Sequence, residues 1–262
     1  MERLEALTGY YTTHDEDTRL VSQHGTVEFL TTVHYVEKYL TPGMRILEIG
    51  AGTGRYAHYF ARKGYRVDAV ELMECNIEVF KANTAPGEAV TIRQGDAVNL
   101  EFIPSEQYDV TLLLGPMYHL YTDGEKQAAL SEAIRVTKRG GVVFAAYCNS
   151  DATVYQFCFV RNGIHDEHYK DLIDRETFAL RSTPTEIFSL YRKEDIDTIM
   201  ARFAVNRLHY VGTDMLTHFI RDTVDGMDEE TFGLYIKYHL SICERPDMVG
   251  ATNHILDIFR KE

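Results

Sequence analysis

Three glycines fall within five positions of the segment ILEIGAGTG, residues 46–54, directly after a short apolar run. Glycine lets a chain turn sharply and lets a ligand approach the backbone, because no Cβ holds the ligand away. A strand, a G-x-G-x-G loop and a helix, in that order, place a ligand at the carboxyl end of the first strand. The dinucleotide pattern G-x-G-x-x-G fails at Arg55, and no Gly-Lys-Ser/Thr follows as in a P-loop. We therefore predict a ligand held without phosphate contacts, with a tight ligand-free turn as the alternative.

Three acidic residues lie within or directly after the first three predicted strands. Glu48 lies inside the glycine motif, where its charge would repel a pyrophosphate but suit a cationic amino-acid tail. Glu71 ends the second predicted strand, roughly 20 residues after the first glycines, a position suited to hydrogen bonds with a ribose diol. Asp96 follows the third strand and is suited to an adenine amino group, although Gly-Asp is also an ordinary turn pair. Singly, Glu71 and Asp96 are also explained as surface charge; together with the glycine loop they predict an adenosyl-type ligand.

A regular alternation of strand and helix patterns is predicted to position these residues. Apolar runs alternate with segments of helical periodicity, which indicates βαβ units and a parallel sheet. The predicted strands are RILEI (45–49), RVDAVEL (66–72), VTIRQ (90–94), DVTLLL (109–114) and VVFAAYC (142–148). The predicted helices are 26–40, which Thr41-Pro42-Gly43 ends, 54–63, 74–83 and 124–138.

The alternation loosens after residue 150. Residues 151–180 have helical, aromatic and acidic character without a strand pattern, and we predict an insertion or lid there rather than a separate domain. The segments predicted to complete the chain are a helix (193–203), a strand (205–212), a helix (228–243) and a last strand (254–259).

The composition of the 262-residue chain argues against several classes of protein. With 27 Lys and Arg against 40 Asp and Glu, the net charge is −13. This argues against DNA or bulk RNA as a partner, because neutralising phosphate charge dominates such binding. The four cysteines are scattered without a CxxC pair, so no metal site is predicted and a reduced, cytoplasmic setting fits. The charged start and the lack of a long apolar run predict neither a signal peptide nor a membrane span.

The segments ILEIGAGTG, AVEL, GDA, YDVTLLLGPMYHL and VTKRGGVVFAAY resemble, in this order, the successive motifs of class I S-adenosylmethionine-dependent methyltransferases. The resemblance implies one methyltransferase domain over residues 1–262, with an N-terminal helical cap over 1–40 and an insertion or lid over 151–190. It implies an α/β fold: a Rossmann-like, doubly wound, seven-stranded, mostly parallel sheet with a reversed C-terminal hairpin strand. The implied cofactor is S-adenosylmethionine, with S-adenosylhomocysteine as its product.

The same resemblance implies where the cofactor binds. The glycines would lie over its methionine part, Glu71 on the ribose hydroxyls and Asp96 at the adenine, and an N-terminal lid would let Arg19 meet the methionine carboxylate. The alternative for Arg19 is a solvated N-terminal arm. The residues predicted to bind the cofactor are Arg19, Glu48, Gly50, Ala51, Gly52, Glu71, Leu72, Asp96, Ala97 and Leu114.

The substrate side is less specified by the sequence. GPMYHL follows the fourth strand in place of the Asp/Asn-Pro-Pro-aromatic motif of enzymes that methylate bases, and it resembles small-molecule methyltransferases. His119 is the candidate general base, because its ordinary pKa lies near neutrality, or else its ring only orients the loop. Tyr11 and Tyr118 are the candidate substrate contacts.

Other functions stay open at this point. Within the class, the alternative acceptor is a protein or RNA; outside it, the alternative is a non-catalytic protein that binds an adenosyl ligand. An NAD(P)-dependent oxidoreductase is disfavoured by Arg55 and by the lack of a Tyr-x-x-x-Lys pair. The sequence predicts neither the acceptor atom nor whether the chain is a monomer or a homodimer.

Overall fold

The computed structural model describes residues 3–262, so the first two residues of the predicted cap lie outside the described residues. Its centre is a sheet of eight strands. They are β1 (Arg45–Ile49), β2 (Arg66–Glu71), β3 (Val90–Gln94), β4 (Tyr108–Leu113), β5 (Thr137–Asn149), β6 (Leu190–Tyr191), β7 (Val205–Gly212) and β8 (His254–Lys261).

The strand order is β3-β2-β1-β4-β5-β8-β7, and β6 pairs with β5 beside this path. Strands β1 to β6 pair in parallel, whereas β8 runs antiparallel to both β5 and β7. The predicted α/β sheet with its reversed C-terminal strand is therefore confirmed. The sheet has one strand more than the seven predicted, because Leu190–Tyr191 pairs with the last two residues of β5.

Helices cover both faces of the sheet, as the alternating pattern predicts. They are α1 (Arg3–Tyr11), α2 (Gln23–Glu37), α3 (Arg55–Arg62), α4 (Glu74–Asn83), α5 (Asp123–Val136), α6 (Ser150–Thr153), α7 (Glu167–Lys170), α8 (Lys193–Met200), α9 (Arg221–Asp225) and α10 (Glu229–Ile242). The start of α5 is fixed by a capping box between Thr122 and Glu125, which satisfies backbone N–H groups that have no partner within the helix.

Two hydrophobic layers hold the helices to the sheet. Because neighbouring side chains of a strand point to opposite faces, Ile46 and Phe144 pack in one layer while Leu47 and Val143 pack in the other. All four side chains are fully buried. Central strands covered on both sides are expected to be largely apolar, and from Val110 to Leu113 β4 is apolar except for the buried Thr111. The result is a stiff sheet whose carboxyl ends form one edge.

The predicted helical segment over 151–180 is only partly helical. Helix α6 continues into a π-helical turn to Val160, and α7 ends at Lys170. Residues 171–180 form loops and turns. Three buried side chains form the apolar cluster of this region, Val154, Cys158 and Ile173, which is too few to stabilise long helices by packing. In residues 3–262 no helix is long and apolar enough to cross a membrane.

Candidate active site

The glycine loop after β1 has the backbone conformation that its sequence predicts. Gly50 has φ +74° and Gly52 has φ +54°, both in the region that favours glycine. The backbone N–H groups of Gly50 and Ala51 donate to the Val70 carbonyl at 2.8 and 3.1 Å, which ties the loop to β2. A Cβ at Gly50 would lie 2.5 Å from the ring of Pro116 in the loop after β4. Glycine is therefore required at position 50 both by the positive φ and by the close approach of Pro116.

One cavity of about 630 Å³ opens at the carboxyl edge of the sheet. All of the residues predicted for cofactor, substrate and catalysis line it. They are Tyr11, Arg19, Glu48, Gly50, Ala51, Gly52, Glu71, Leu72, Asp96, Ala97, Leu114, Tyr118 and His119. The sequence argument thus identified groups that the fold brings together, while their individual roles stay predictions.

Glu71 and Asp96 are already engaged by donors of the protein. Glu71 accepts hydrogen bonds from the backbone N–H of Gly52 at 2.8 Å and of Met73 at 2.9 Å. Burial raises the pKa of Glu71, and these N–H groups oppose that rise. Asp96 forms an ion pair with Arg3 of α1. A ligand at this end of the cavity would meet oriented carboxylates rather than mobile ones.

Glu48 is the most deeply buried carboxyl group near the glycine loop. It is 2% exposed, and its Oε2 atom has no hydrogen-bond partner among the described residues. Burial raises the pKa of Glu48 to about 8, so the group is predominantly protonated at neutral pH. A raised pKa favours a neutral carboxyl group rather than the ionised carboxylate that the sequence argument expects, and the role of Glu48 toward a cationic tail stays a prediction.

His119 is held by two hydrogen bonds from different parts of the chain. Its Nδ1 lies 2.9 Å from the Ile187 carbonyl oxygen, and its Nε2 lies 2.9 Å from the Tyr11 hydroxyl. A carbonyl can only accept, so Nδ1 carries the proton and Nε2 accepts from Tyr11. Burial lowers the pKa of His119 to about 4, which keeps the ring neutral at neutral pH. It also makes the ring a weaker base than the sequence argument assumed, and Tyr11 occupies its Nε2 lone pair.

The carbonyl that orients His119 belongs to a strained turn. Ile187 has φ +66° and ψ −45°, and the Phe188 N–H donates to the Glu186 carbonyl at 2.7 Å across it. This is a γ-turn, which is rare and costly for a β-branched residue. The Ile187 carbonyl also accepts from the Tyr121 hydroxyl at 2.6 Å. Nothing in the local sequence predicted this contact, because residues 119 and 187 are far apart in the chain.

Arg19 also lines the cavity, where it is bound to two carboxylates. Its guanidinium contacts Glu16 at 3.0 Å and both oxygens of Glu28 at 3.0 and 3.1 Å. The carboxylate partner predicted for Arg19 is thus supplied here by the protein itself. The guanidinium also borders the cavity, so a further carboxylate can be reached from it.

Glu28 belongs to a buried charged cluster that the sequence argument missed. His254 Nδ1 lies 2.9 Å from Asp214 Oδ2 and 3.3 Å from Glu28 Oε2. Burial lowers the pKa of His254, but the two carboxylates outweigh it and raise the pKa well above the usual value. The three residues come from α2, from the loop after β7 and from the start of β8, so no local spacing could reveal them.

Comparison with known families bears on the first half of the chain. Residues 46–141 match the family described as Methyltransferase domain. That match runs from β1 to the start of β5, and it includes the glycine loop, Glu71, Asp96 and His119.

Curated relatives match over parts of their length. An S-adenosyl-L-methionine-dependent Diels-Alderase, iccD of Talaromyces variabilis, is 35% identical over 107 residues, covering 39% of this chain and 35% of the relative. A ubiquinone biosynthesis O-methyltransferase of Hahella chejuensis is 23% identical over 164 residues, covering 62% of this chain and 66% of the relative. The chain thus spans between about a third and two thirds of the length of these two relatives.

Solved structures share the fold over the whole chain. One of them is a SAM-dependent methyltransferase of Thermotoga maritima, described as a possible histamine N-methyltransferase. Its TM-score is 0.57 at 17% identity, and the match covers 100% of both chains. At this identity the likeness concerns the fold alone.

Proposed function

Since the chain belongs to the class I S-adenosylmethionine-dependent methyltransferases through its domain at residues 46–141, we propose that it methylates a small molecule in the cavity. The observation that carries the proposal is the single cavity lined by the glycine loop, Glu71, Asp96 and His119. The residues that we assign to the cofactor and the candidate base therefore border the same cavity.

The residues present fit S-adenosylmethionine. Gly50 and Gly52 supply the positive φ angles of the loop, Pro116 excludes a Cβ at Gly50, and no phosphate-binding Lys follows them. We assign Glu71 to the ribose hydroxyls, Asp96 to the adenine amino group and Arg19 to the methionine carboxylate. When bound, the cofactor supplies an electrophilic methyl group on a sulfonium. The protonated carboxyl of Glu48 would avoid adding a charge beneath the loop.

His119 is assigned the role of general base. Its neutral ring with a protonated Nδ1 leaves Nε2 as the basic atom, and Tyr11 donates to that atom in the structure. A proton from the acceptor would reach Nε2 directly if Tyr11 gives way, or through the Tyr11 hydroxyl if it stays. Burial raises the pKa of Tyr11 well above its usual value, so the phenol remains protonated and serves only to relay.

A small acceptor is supported by the shape and charge of the protein. Tyr10, Tyr118, Phe157 and Phe188 give the cavity an aromatic wall of the kind that holds small organic ligands. The net charge of −13 disfavours RNA as the acceptor. The Hahella chejuensis relative is named for ubiquinone biosynthesis, a small-molecule pathway. Holding the acceptor in line with the methyl group lowers the activation barrier of a displacement by roughly 7–11 kcal/mol at best.

Calorimetric titration with S-adenosylmethionine, S-adenosylhomocysteine and NAD tests the cofactor assignment. We expect micromolar binding of the two adenosyl ligands and none of NAD. Binding of NAD alone, or of no ligand, would remove the proposal. A positive result is followed by a screen of small hydroxylated and amino acceptors, in which a product heavier by one methylene group supports methyl transfer.

A second candidate is cofactor binding without methyl transfer. The Talaromyces variabilis relative is named a Diels-Alderase that depends on the same cofactor, and its identity to this chain is 35% over the matched segment. In that case the acceptor screen would give a product of unchanged mass and S-adenosylmethionine would not be consumed. Formation of S-adenosylhomocysteine in step with product would exclude it.

A further inference from the structure

Glu28, Asp214 and His254 form a set of donor atoms at the edge of the cavity. One oxygen of each carboxylate and Nδ1 of the imidazole all lie within 4.8 Å of one another. Glu28 is 8% exposed and Asp214 is 6% exposed, and all three residues line the cavity. Two carboxylates and one imidazole are ligands of divalent first-row metals.

The distances within this set match adjacent positions in a metal coordination sphere. His254 Nδ1 lies 2.9 Å from Asp214 Oδ2 and 3.3 Å from Glu28 Oε2. Neighbouring ligands at about 2.0–2.2 Å from a metal in tetrahedral or octahedral geometry are separated by about 3 to 3.5 Å. A metal ion that replaces the Nδ1 proton would therefore find both distances from His254 to the carboxylates already suited to it, while the two carboxylate oxygens lie within 4.8 Å of each other.

Supporting contacts hold two of the three donors in place. Asp214 Oδ1 accepts hydrogen bonds from the Thr252 hydroxyl at 2.6 Å and from the backbone N–H of Asn253 at 2.8 Å, which leaves Oδ2 facing His254. Asn253 Nδ2 lies 3.2 Å from Nε2 of the His254 ring. Such outer contacts commonly orient the ligands of metal sites.

A buried N–H group nearby gives a second, independent indication of a ligand. His218 lines the same cavity and is 9% exposed, and its Nε2 has no hydrogen-bond partner among residues 3–262. The Arg221 guanidinium lies 2.7 Å from His218 Nδ1, so Nδ1 accepts and the unpartnered Nε2 is a donor. A donor of this kind suits an oxygen or an anion bound beside a cation.

We propose that Glu28, Asp214 and His254 bind one divalent first-row transition metal ion, with open coordination positions toward the cavity. The ion pairs of this cluster join three carboxylates to two cationic groups: Arg19 pairs with Glu16 and Glu28, and His254 pairs with Glu28 and Asp214. A metal cation in place of the imidazole proton would keep a positive charge between Glu28 and Asp214. Arg19 contacts both Glu28 oxygens, so it keeps Oε1 when Oε2 turns to the metal. Tyr118 lies between this site and His119, its ring centroid 5.7 Å from that of His254 and 6.3 Å from that of His119.

The metal site adds a requirement on the acceptor. Its open positions would take an oxygen of the acceptor and hold it near the loop that carries His119. This use of the ion rests on the proposed function, whereas binding of the ion does not. Metal binding is therefore tested without S-adenosylmethionine and without an acceptor.

The test is titration of Mn²⁺ into chelator-treated full-length protein, followed by electron paramagnetic resonance of free Mn²⁺. We expect one ion per chain with a dissociation constant on the order of 10 µM or lower. Excess Mg²⁺ should displace it poorly, because Mg²⁺ has little preference for imidazole. Asp214→Asn and Glu28→Gln, which preserve side-chain shape, should each weaken Mn²⁺ binding at least about tenfold.

Glu244→Gln is the matched control. Glu244 lies 2.5 Å from His209 Nδ1, the same carboxylate–imidazole chemistry, but outside the cavity. The Glu244→Gln variant should bind Mn²⁺ as tightly as the unaltered protein does. Thermal unfolding identifies which variants fold, and unchanged Mn²⁺ binding by a folded Asp214→Asn or Glu28→Gln variant overturns the proposal. Lack of Mn²⁺ binding by the unaltered protein also overturns the metal proposal. That result would not affect the proposed function, which calorimetry with S-adenosylmethionine tests separately.

Discussion

The two halves of the cavity are built in different ways. In the cofactor half, the glycine loop, Glu71 and Asp96 each lie at or within two residues of a strand end, and backbone bonds to β2 hold the loop. In the substrate half, His119 is held by side-chain bonds to Tyr11 and to the carbonyl of Ile187, which come from remote segments. The sheet thus positions the residues of the cofactor half, whereas individual side-chain contacts position His119 in the substrate half. Substitutions in the second half should change chemistry with little effect on cofactor affinity.

The sharpest test of this contrast is His119→Ala. General bases contribute about 10²–10⁴-fold to rate, so we expect kcat to fall within that range while S-adenosylmethionine affinity stays within about twofold. Turnover with the acceptor from the screen and calorimetry measure the two quantities. Tyr121→Phe is the control, because Tyr121 also bonds to the Ile187 carbonyl without contacting Nε2. An equal loss of rate in both variants would make His119 a structural residue.

Gly50→Ala should weaken cofactor binding. The new Cβ would lie 2.5 Å from the Pro116 ring at φ +74°. We expect strain of about 2–3 kcal/mol in the loop. If part of it reduces the free energy of cofactor binding, cofactor affinity falls by up to about 100-fold. Calorimetry with S-adenosylhomocysteine measures it. Gly43→Ala separates the two causes, since Gly43 has φ +87° but no neighbour within 4 Å of its Cβ position; it should leave affinity unchanged.

Glu48→Gln tests the buried carboxyl group through stability. The unfolded chain loses this proton near pH 4.5, whereas the folded protein keeps it to about pH 8, so stability falls as pH rises through that window. Each pH unit costs about 1.4 kcal/mol, so between pH 6 and pH 8 the variant should lose about 2 kcal/mol less than the unaltered protein. Urea unfolding at both pH values measures this. The exposed Glu78→Gln serves as control, and equal pH dependence in both variants would place the pKa of Glu48 near its ordinary value.

Glu71→Ala should have the smallest effect of the four. Loss of the ribose contacts and of the bonds to Gly52 and Met73 should weaken S-adenosylmethionine binding about tenfold or more, where tenfold is about 1.4 kcal/mol. The exposed Glu74→Ala, three residues later, is the matched control. Unchanged affinity in Glu71→Ala, measured by calorimetry, would remove Glu71 from the cofactor site.

The same contrast explains what could be predicted from the sequence. Residues that follow a strand directly, such as Glu71 and Asp96, inherit their place from the parallel sheet, and strand patterns are local. The helical prediction for residues 151–180 was wrong beyond Lys170, because local composition cannot show that few apolar side chains remain to be buried there.

Contacts that depend on the tertiary fold were out of reach. The γ-turn at Ile187 has no local signature, since a β-branched residue at positive φ contradicts propensity. The scattered cysteines led to the prediction of no metal site, because that argument reads spacing along the chain. Glu28, Asp214 and His254 approach one another only when β8 inserts between β5 and β7.

Helix α1 crosses from one half of the cavity to the other. Its first residue, Arg3, pairs with Asp96, and its last, Tyr11, bonds to His119. Contacts of this kind are worth about 1 kcal/mol each, and the buried Leu7 between them contributes about 1.5–3 kcal/mol more, so displacing the helix costs several kcal/mol. Displacing α1 would break the contact with Asp96 and the contact with His119 together, so it would couple the two halves of the cavity.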